Sequence, residues 1–468
     1  MAPMFPAEWF VVRDESGAPF LFDRGHGNWM PMDLLWGTLG WARIHWAIRA
    51  LVAAVVAALC FLPREHQTQE PAGGAIRPTR RMAWGAGCLA VACWLLFVLF
   101  RVNPAINRTF GDASSLFNEI RAAAYVFPSE VLTMRLFNFV QDMTLTFSGG
   151  RNLDRLTHFI VICGSGAVFV WASAMAALLI GRSRMERAFL LAGPVLAGYL
   201  AQFFAYVETT FLVLAAMALF IAAAAWMLWG EGSRQRCNRL MFVYAALSIA
   251  MLAHGAGVVL LPATAVLVLL VRRGEHGFGR LRALKDPLIT IGFLAIVIAP
   301  YYVWFIRPFM IDIGYLGNLH GGADCFNLVQ WNYEAARAKS DYVYYSMISW
   351  GHFLDIGMGF LVAAPLAIPM ILLAARHMKQ LDAFDREILV VAFIAAVSAA
   401  AVPLLWEMDF GGWGDWNIVT AYLYPLNFAA WAMLIVARRR MKIGVGSLLA
   451  PALIVQVAMA LGILLQLY

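Results

Sequence analysis

Apolar runs long enough to cross a bilayer recur along the chain, separated by shorter polar connections. They are Trp41–Leu62, Trp84–Phe100, Phe159–Ile180, Ala188–Val207, Phe211–Trp229, Met241–Leu252, Val258–Val271, Leu288–Ile306, Met358–Ala375, Ile388–Trp406, Ile418–Ala437 and Ser447–Leu467. In hydrocarbon, every backbone N–H and C=O must be satisfied inside its own segment, so runs of this kind read as helices. The pattern predicts an all-α, polytopic integral membrane protein with about twelve transmembrane helices, two of them short enough to be half-buried or merged.

The connections alternate in charge. Arg64, Arg77, Arg80 and Arg81 lie in one connection, Arg182, Arg184 and Arg187 in another, and Arg234, Arg236 and Arg239 in a third. Arg272, Arg273, Arg280, Arg282 and Lys285 follow, then Arg376, Lys379 and Arg386, then Arg438, Arg439, Arg440 and Lys442. Basic residues concentrate in cytoplasmic loops, so these connections are expected inside and both termini outside. The opposite connections, around Glu208, around His254 and from Glu407 to Asn417, carry no Lys or Arg. Two outer loops are long, at about 102–157 and 307–356, and loops of that length usually have a function. Residues 1–40 mix Trp9, Phe10, Phe20, Phe22, Trp29 and Trp36 with charges and glycines and lack a signal-peptide pattern, so an interfacial segment is expected ahead of a transmembrane domain at 41–468.

Composition supports the membrane reading. Of 468 residues, 62% are hydrophobic and 13% charged, with a mean hydropathy of +0.72, more apolar surface than one water-soluble core can hide. The net charge of +7 follows from topology, and no nucleic-acid partner is expected. Cys60, Cys88, Cys93 and Cys163 fall in or beside apolar runs, while Cys237 and Cys325 are expected in loops on opposite sides, so no disulfide framework or metal spacing emerges.

Candidate chemistry gathers at the outer ends of the runs. Asp112, in Phe110-Gly111-Asp112-Ala113-Ser114, is the first carboxylate beyond a span; capping a short helix is its bland reading. Pro128-Ser129-Glu130 reads as a helix start. Glu208 sits in a connection so short that its carboxylate must lie at the membrane boundary, as a functional group or an exposed turn residue. His254 interrupts the apolar Leu252-Ala253-His254-Gly255-Ala256 at the outer turn of a helical pair, where a hydrogen-bonded packing role is the usual one. His352 and Asp355 would share a helix face. Glu407, Asp409 and Asp415 crowd one turn rich in glycine and tryptophan, which suits either an aromatic interface belt or a site for a cation. Walker loops, Rossmann glycines after a strand, and zinc-type His and Cys motifs are absent.

The ordered set resembles bacterial multispanning proteins related to the GT-C glycosyltransferases, enzymes that use polyprenyl-phosphate sugars on the outer side of the membrane. Gly111-Asp112-Ala113 is similar to their Gly-Asp-Gly turn and Pro128-Ser129-Glu130-Val131-Leu132 to a Pro-x-Glu-Pro-Leu element. Ala205-Tyr206-Val207-Glu208 is similar to a Gly-Tyr-Val-Glu turn, and Leu252-Ala253-His254 to a helical break. Ser349, His352 and Asp355 match a Ser-x-x-His-x-x-Asp element, and Gly414-Asp415-Trp416-Asn417-Ile418 an Arg-Asp-Trp-Asp-Leu turn. The departures are Ala113, Val131, Ala205, Gly414 and Asn417, the last two replacing charged residues.

The resemblance implies a GT-C-like fold in the bacterial inner membrane, with its active face towards the periplasm. It implies a polyprenyl-phosphate sugar donor, a glycan, lipid or protein acceptor, and Asp112 as general base. Arg101, Arg108, Arg307, His254 and His352 are the candidates to hold the donor phosphate. Glu130, Glu208, Asp355, Asp409 and Asp415 are those for acceptor hydroxyls or for a divalent cation such as Mg or Mn, although no cofactor is required by the sequence. Two alternatives fit the same composition: a transporter or lipid-linked-sugar flippase, and a noncatalytic assembly subunit of this fold.

Overall fold

A computed structural model describes residues 79–101, 130–150, 154–204, 206, 208–230, 232–272, 295, 350–377, 381–405, 416–441 and 445–467. All regular structure among them is helical. The helices are α1 (Arg80–Leu99), α2 (Val131–Phe147), α3 (Gly164–Ile180), α4 (Arg184–Val195), α5 (Thr210–Leu228), α6 (Ser233–Ala253) and α7 (Leu261–Arg272). They continue as α8 (Trp350–Ala363), α9 (Ala367–Ala375), α10 (Ala383–Leu405), α11 (Trp416–Tyr422), α12 (Tyr424–Met441) and α13 (Val445–Leu467). A short helix, Asp154–His158, and a π-helical turn, Phe159–Cys163, lead into α3. Six helical segments among the described residues are long and apolar enough to span a membrane, or up to seven if a bent pair counts as one span. The chain is thus an all-α, multi-pass membrane protein. The expected span Trp41–Leu62 and the segment 1–40 lie outside the described residues, as does Leu288–Ile306 apart from Ala295.

Small residues let the spans approach closely. Ala392, Ala395, Ala396 and Ala399 of α10 and Ala172, Ala176 and Ala177 of α3 are buried. Between helices surrounded by lipid there is little hydrophobic driving force, so close backbone approach and specific polar contacts must supply it. The span Trp416–Arg439, made of α11 and α12, is almost wholly enclosed by its neighbours.

Two expected spans are broken, each for a local reason. Ala188–Val207 becomes α4 followed by a 310 turn, Gly198–Phe203. Near the break, a Cβ on Gly193 would stand 2.3 Å from the Trp431 ring, so only glycine lets the two chains meet. Pro194 cannot donate a backbone hydrogen bond. Side chains satisfy the carbonyls there: Gln456 Nε2 donates to Gly193 O at 2.7 Å, and the Tyr199 hydroxyl donates to Pro194 O. Trp431 Nε1 donates to Gln456 Oε1 at 3.1 Å, and Asn427 Nδ2 to the Tyr199 oxygen at 3.0 Å. Irregular backbone at membrane depth is tolerated where protein groups satisfy it in this way. The run Met358–Ala375 is likewise two helices bent by 73°, with Pro365 between them ending α8. Cys237, expected in a loop, is on the second turn of α6 and exposed.

The predicted basic connections converge at one end of the bundle, joined by carboxylates that the sequence pattern did not single out. Glu186 accepts from Arg438 at 2.9 Å, from Arg439 at 2.8 and 3.0 Å, and from the Arg182 backbone N–H at 2.7 Å. Arg439 also donates to Asp385 at 2.7 Å and to the Ile180 carbonyl at 3.0 Å. Arg182 reaches Asp385 at 2.7 Å and also Asp382, and Arg236 pairs with Glu387 at 3.0 Å. The network ties the ends of α3, α4, α10 and α12 together.

Burial by itself would raise the Glu186 carboxyl, but Arg439, Arg182 and Arg438 outweigh it and hold it down at about 2, from an ordinary 4.5. A depressed carboxylate stabilises the fold fully above its unfolded value and loses that contribution as pH falls through the folded one. The Glu186 contribution should therefore be complete above pH 4.5 and fade towards pH 2. Glu186→Gln should cost on the order of 3 kcal/mol at neutral pH. Thermal unfolding of both proteins in detergent, followed across pH, should show the gap between them closing on the acid side.

Candidate functional site

The other end of the bundle is built from the starts of α5 and α11 and the ends of α6 and α10. It contains three predicted candidates, Glu130, Glu208 and His254, drawn from three separate connections. Glu130 directly precedes α2, as its Pro128-Ser129-Glu130 context suggested. Helix α2 is fastened to α6 by Thr133 Oγ1, which donates to the Ala253 carbonyl at 2.9 Å. This bond brings Glu130 to the turn that carries His254.

His254 ends α6 in an extended conformation and opens the 310 turn Gly255–Leu260. Its ring is buried, with Nδ1 2.7 Å from the Tyr422 hydroxyl and 3.2 Å from the Ala256 backbone nitrogen. A backbone N–H can only donate, so Nδ1 carries the lone pair and the neutral ring bears its proton on Nε2. Nε2 faces Glu130 Oε1 at 3.4 Å. Tyr422, His254 and Glu130 thus form an oriented series of hydroxyl, imidazole and carboxylate. Tyr422 was not among the predicted residues; its signal was only a tyrosine inside an apolar run.

Glu208 is buried, 6% exposed, so the exposed-turn reading is corrected. It immediately precedes Thr209 and the start of α5, where a polar network made only of amides and hydroxyls begins. Thr210 Oγ1 donates to Gln202 Oε1 at 3.0 Å and accepts from Asn417 Nδ2 at 3.2 Å. Gln202 Nε2 donates to the Asn417 carbonyl at 2.8 Å and to Thr420 Oγ1 at 3.3 Å. Beside it Tyr206 packs edge-on against Trp416, ring centroids 5.2 Å apart.

These directions explain a departure noted in the sequence. With the Thr210 proton committed to Gln202, its oxygen needs a donor, which the Asn417 amide supplies and a carboxylate could not. Asn417 is therefore suited to this chain's own network, whatever the resembled turn carries there.

Of the remaining candidates, only Arg101 has a described side chain. It is exposed, with its guanidinium 5.1 Å from the centre of the Phe159 ring. His352 and Asp355 lie on α8, three residues apart as expected, but their side chains are outside the described ones. Asp112, Arg108, Arg307, Asp409 and Asp415 lie outside the described residues. Among those described, no three His, Cys, Asp or Glu side chains gather as a metal site would require. Asn417→Asp should lower stability by about 1–3 kcal/mol by setting a carboxylate against the Thr210 oxygen, while Asn417→Gln should cost less, as thermal unfolding in detergent would register.

Compared with known proteins, the sequence matches no protein-family model and no curated protein. Among solved structures it is similar to ArnT from Cupriavidus metallidurans, in the apo state and bound to undecaprenyl phosphate. Identity is 14% in both cases, with 83% of this chain and 77% of that chain covered. The TM-scores are 0.49 for the apo form and 0.48 for the bound form, a partial likeness in helix arrangement. The functional reading therefore rests on this chain's own residues.

Proposed function

We propose that the chain is an integral-membrane glycosyltransferase that moves a sugar from a polyprenyl-phosphate donor to a glycan, lipid or protein acceptor. The observation that carries this reading is the series Glu130, His254 and Tyr422, assembled from distant segments at the bundle end opposite the arginine network. By the positive-inside rule the arginine end faces the cytoplasm and the series faces the periplasm.

The chemistry needs few parts. The acceptor hydroxyl attacks the anomeric carbon, the bond from that carbon to the phosphate oxygen breaks, and polyprenyl phosphate leaves with the electron pair. A base takes the hydroxyl proton; Asp112, in the loop ahead of Glu130, is the residue proposed for it. Displacement from one side inverts the anomeric centre. The neutral His254 ring, fixed by Tyr422 and Ala256, presents its Nε2 proton towards Glu130, so this pair is suited to bind and orient a hydroxyl. The phosphate calls for a cation or hydrogen-bond donors, for which Arg101, Arg108, Arg307 and His352 are proposed. Glu208, Asp355, Asp409 and Asp415 are proposed for the acceptor side. Mg or Mn would suit such carboxylates, but no three candidate ligands gather among the described residues and no step is drawn through a cation.

Charge placement favours an enzyme over a transporter. In the described spans, Asp, Glu, Lys and Arg are confined to the first two turns or the last turn, whereas ion-coupled transport places ionisable groups near the midplane. Asp112→Asn in the purified protein should lower transfer to a supplied acceptor by about 100-fold or more while leaving insertion unchanged. His254→Ala and Tyr422→Phe should raise KM more than they lower kcat, since both are assigned to orientation. Full activity in the Asp112→Asn protein would refute the assignment of the base.

A further inference from the structure

The inner face of α2 holds polar groups that nothing described so far uses. The buried residues Met134, Phe137, Asn138, Gln141 and Thr144 recur at helical spacing and mark this face, which an amphipathic helix normally fills with apolar side chains. Asn138 and Gln141 are 3% and 4% exposed. Among the described residues, neither amide atom of Asn138, nor Gln141 Oε1, has a hydrogen-bond partner. Buried amides left unpaired are strongly unfavourable, and in native proteins they usually mark a bound water or ligand.

The surroundings bracket this pair. On one side Phe137 stands edge-on to His158, ring centroids 5.8 Å apart; on the other, Thr144 and Thr157 share a hydrogen bond at 3.3 Å. The opposing segment is the Asp154–His158 helix where it passes into the π-helical turn Phe159–Cys163, and such turns recur at functional sites. Asn138 and Gln141 lie about two and three turns along α2 from Glu130. Arg101, which is exposed, stands over Phe159, the residue that follows His158.

We propose that Asn138 and Gln141 form a carbohydrate subsite that reads hydroxyl groups of the donor's sugar. Each hydroxyl is at once donor and acceptor, which suits amides that offer both roles, whereas a phosphate offers acceptors only. The exposed Arg101 supplies the charge for the lipid phosphate, and Glu130 and His254 lie beyond the sugar. This inference rests on the lipid-linked sugar reading given above and adds the residues that recognise the sugar.

The test uses the full chain in nanodiscs and native mass spectrometry with undecaprenyl phosphate and its glucose, galactose and mannose esters. The wild type should bind at least one sugar-bearing lipid ten-fold or more tightly than undecaprenyl phosphate. Gln141→Met, which keeps the side-chain volume, should abolish that preference while leaving undecaprenyl phosphate affinity within two-fold, and Asn138→Leu should act in the same direction. A wild type without sugar preference, or a Gln141→Met protein that retains it, overturns the subsite while leaving the lipid-phosphate reading in place. Lower thermal stability in both variants with the preference intact would assign the pair to buried water and likewise overturn it. Failure of the wild type to bind any of the four lipids would overturn both readings together.

Discussion

Arg439 is the contact on which the rest of the arrangement depends. Its guanidinium joins Glu186, Asp385 and the Ile180 carbonyl, three groups on three different segments, at the end of the most enclosed span. Lipid offers helices little reason to choose one depth or rotation over another, so a buried multi-partner ion network is an effective way to set both. Once Arg439 is held, the helix carrying it is fixed along its length. Trp416, Asn417, Thr420 and Tyr422 at the far end then take their places beside Tyr206, Gln202 and His254. The network does not take part in the proposed chemistry, yet it sets the register of the residues that do.

The two ends differ in a way that fits their roles. The arginine end is charged and closely bonded, with full carboxylates opposed by guanidinium groups. At the opposite end the network of Gln202, Thr210, Asn417 and Thr420 is made of neutral hydrogen bonds, in which the direction of each proton matters and exchanging an amide for an acid reverses a bond. There the imidazole of His254 is held in one orientation by Tyr422 and the Ala256 N–H, with its other nitrogen towards Glu130.

Much of this was legible in the sequence. Hydrophobic runs placed the described spans closely, because the bilayer imposes one length and one type of secondary structure. The alternation of Arg in the connections separates the two ends, and Glu130 and His254, both candidates by sequence, approach within 3.4 Å. Hydropathy could not show the breaks at Gly193-Pro194 and Pro365, since neither interrupted run contains a charged residue. Nor could it show partners chosen in three dimensions: Glu186 and Asp385 carry no local signal, Tyr422 reads as lining of a span, and Asn417 as a lost acid. Those roles come from hydrogen bonds between residues some 170 to 250 positions apart in the chain, such as Tyr422 with His254 and Arg438 with Glu186, which no local pattern encodes.

The most direct test of the central claim is mass spectrometry of the lipids and glycans in a strain lacking this protein, compared with the same strain expressing it again. A sugar missing from an envelope glycan in the deletion, with its polyprenyl-phosphate donor accumulating, and both reversed on re-expression, is the result expected of a glycosyltransferase. Unchanged glycans and lipid-linked sugars in both strains would contradict it and direct attention to what the bundle carries or assembles instead.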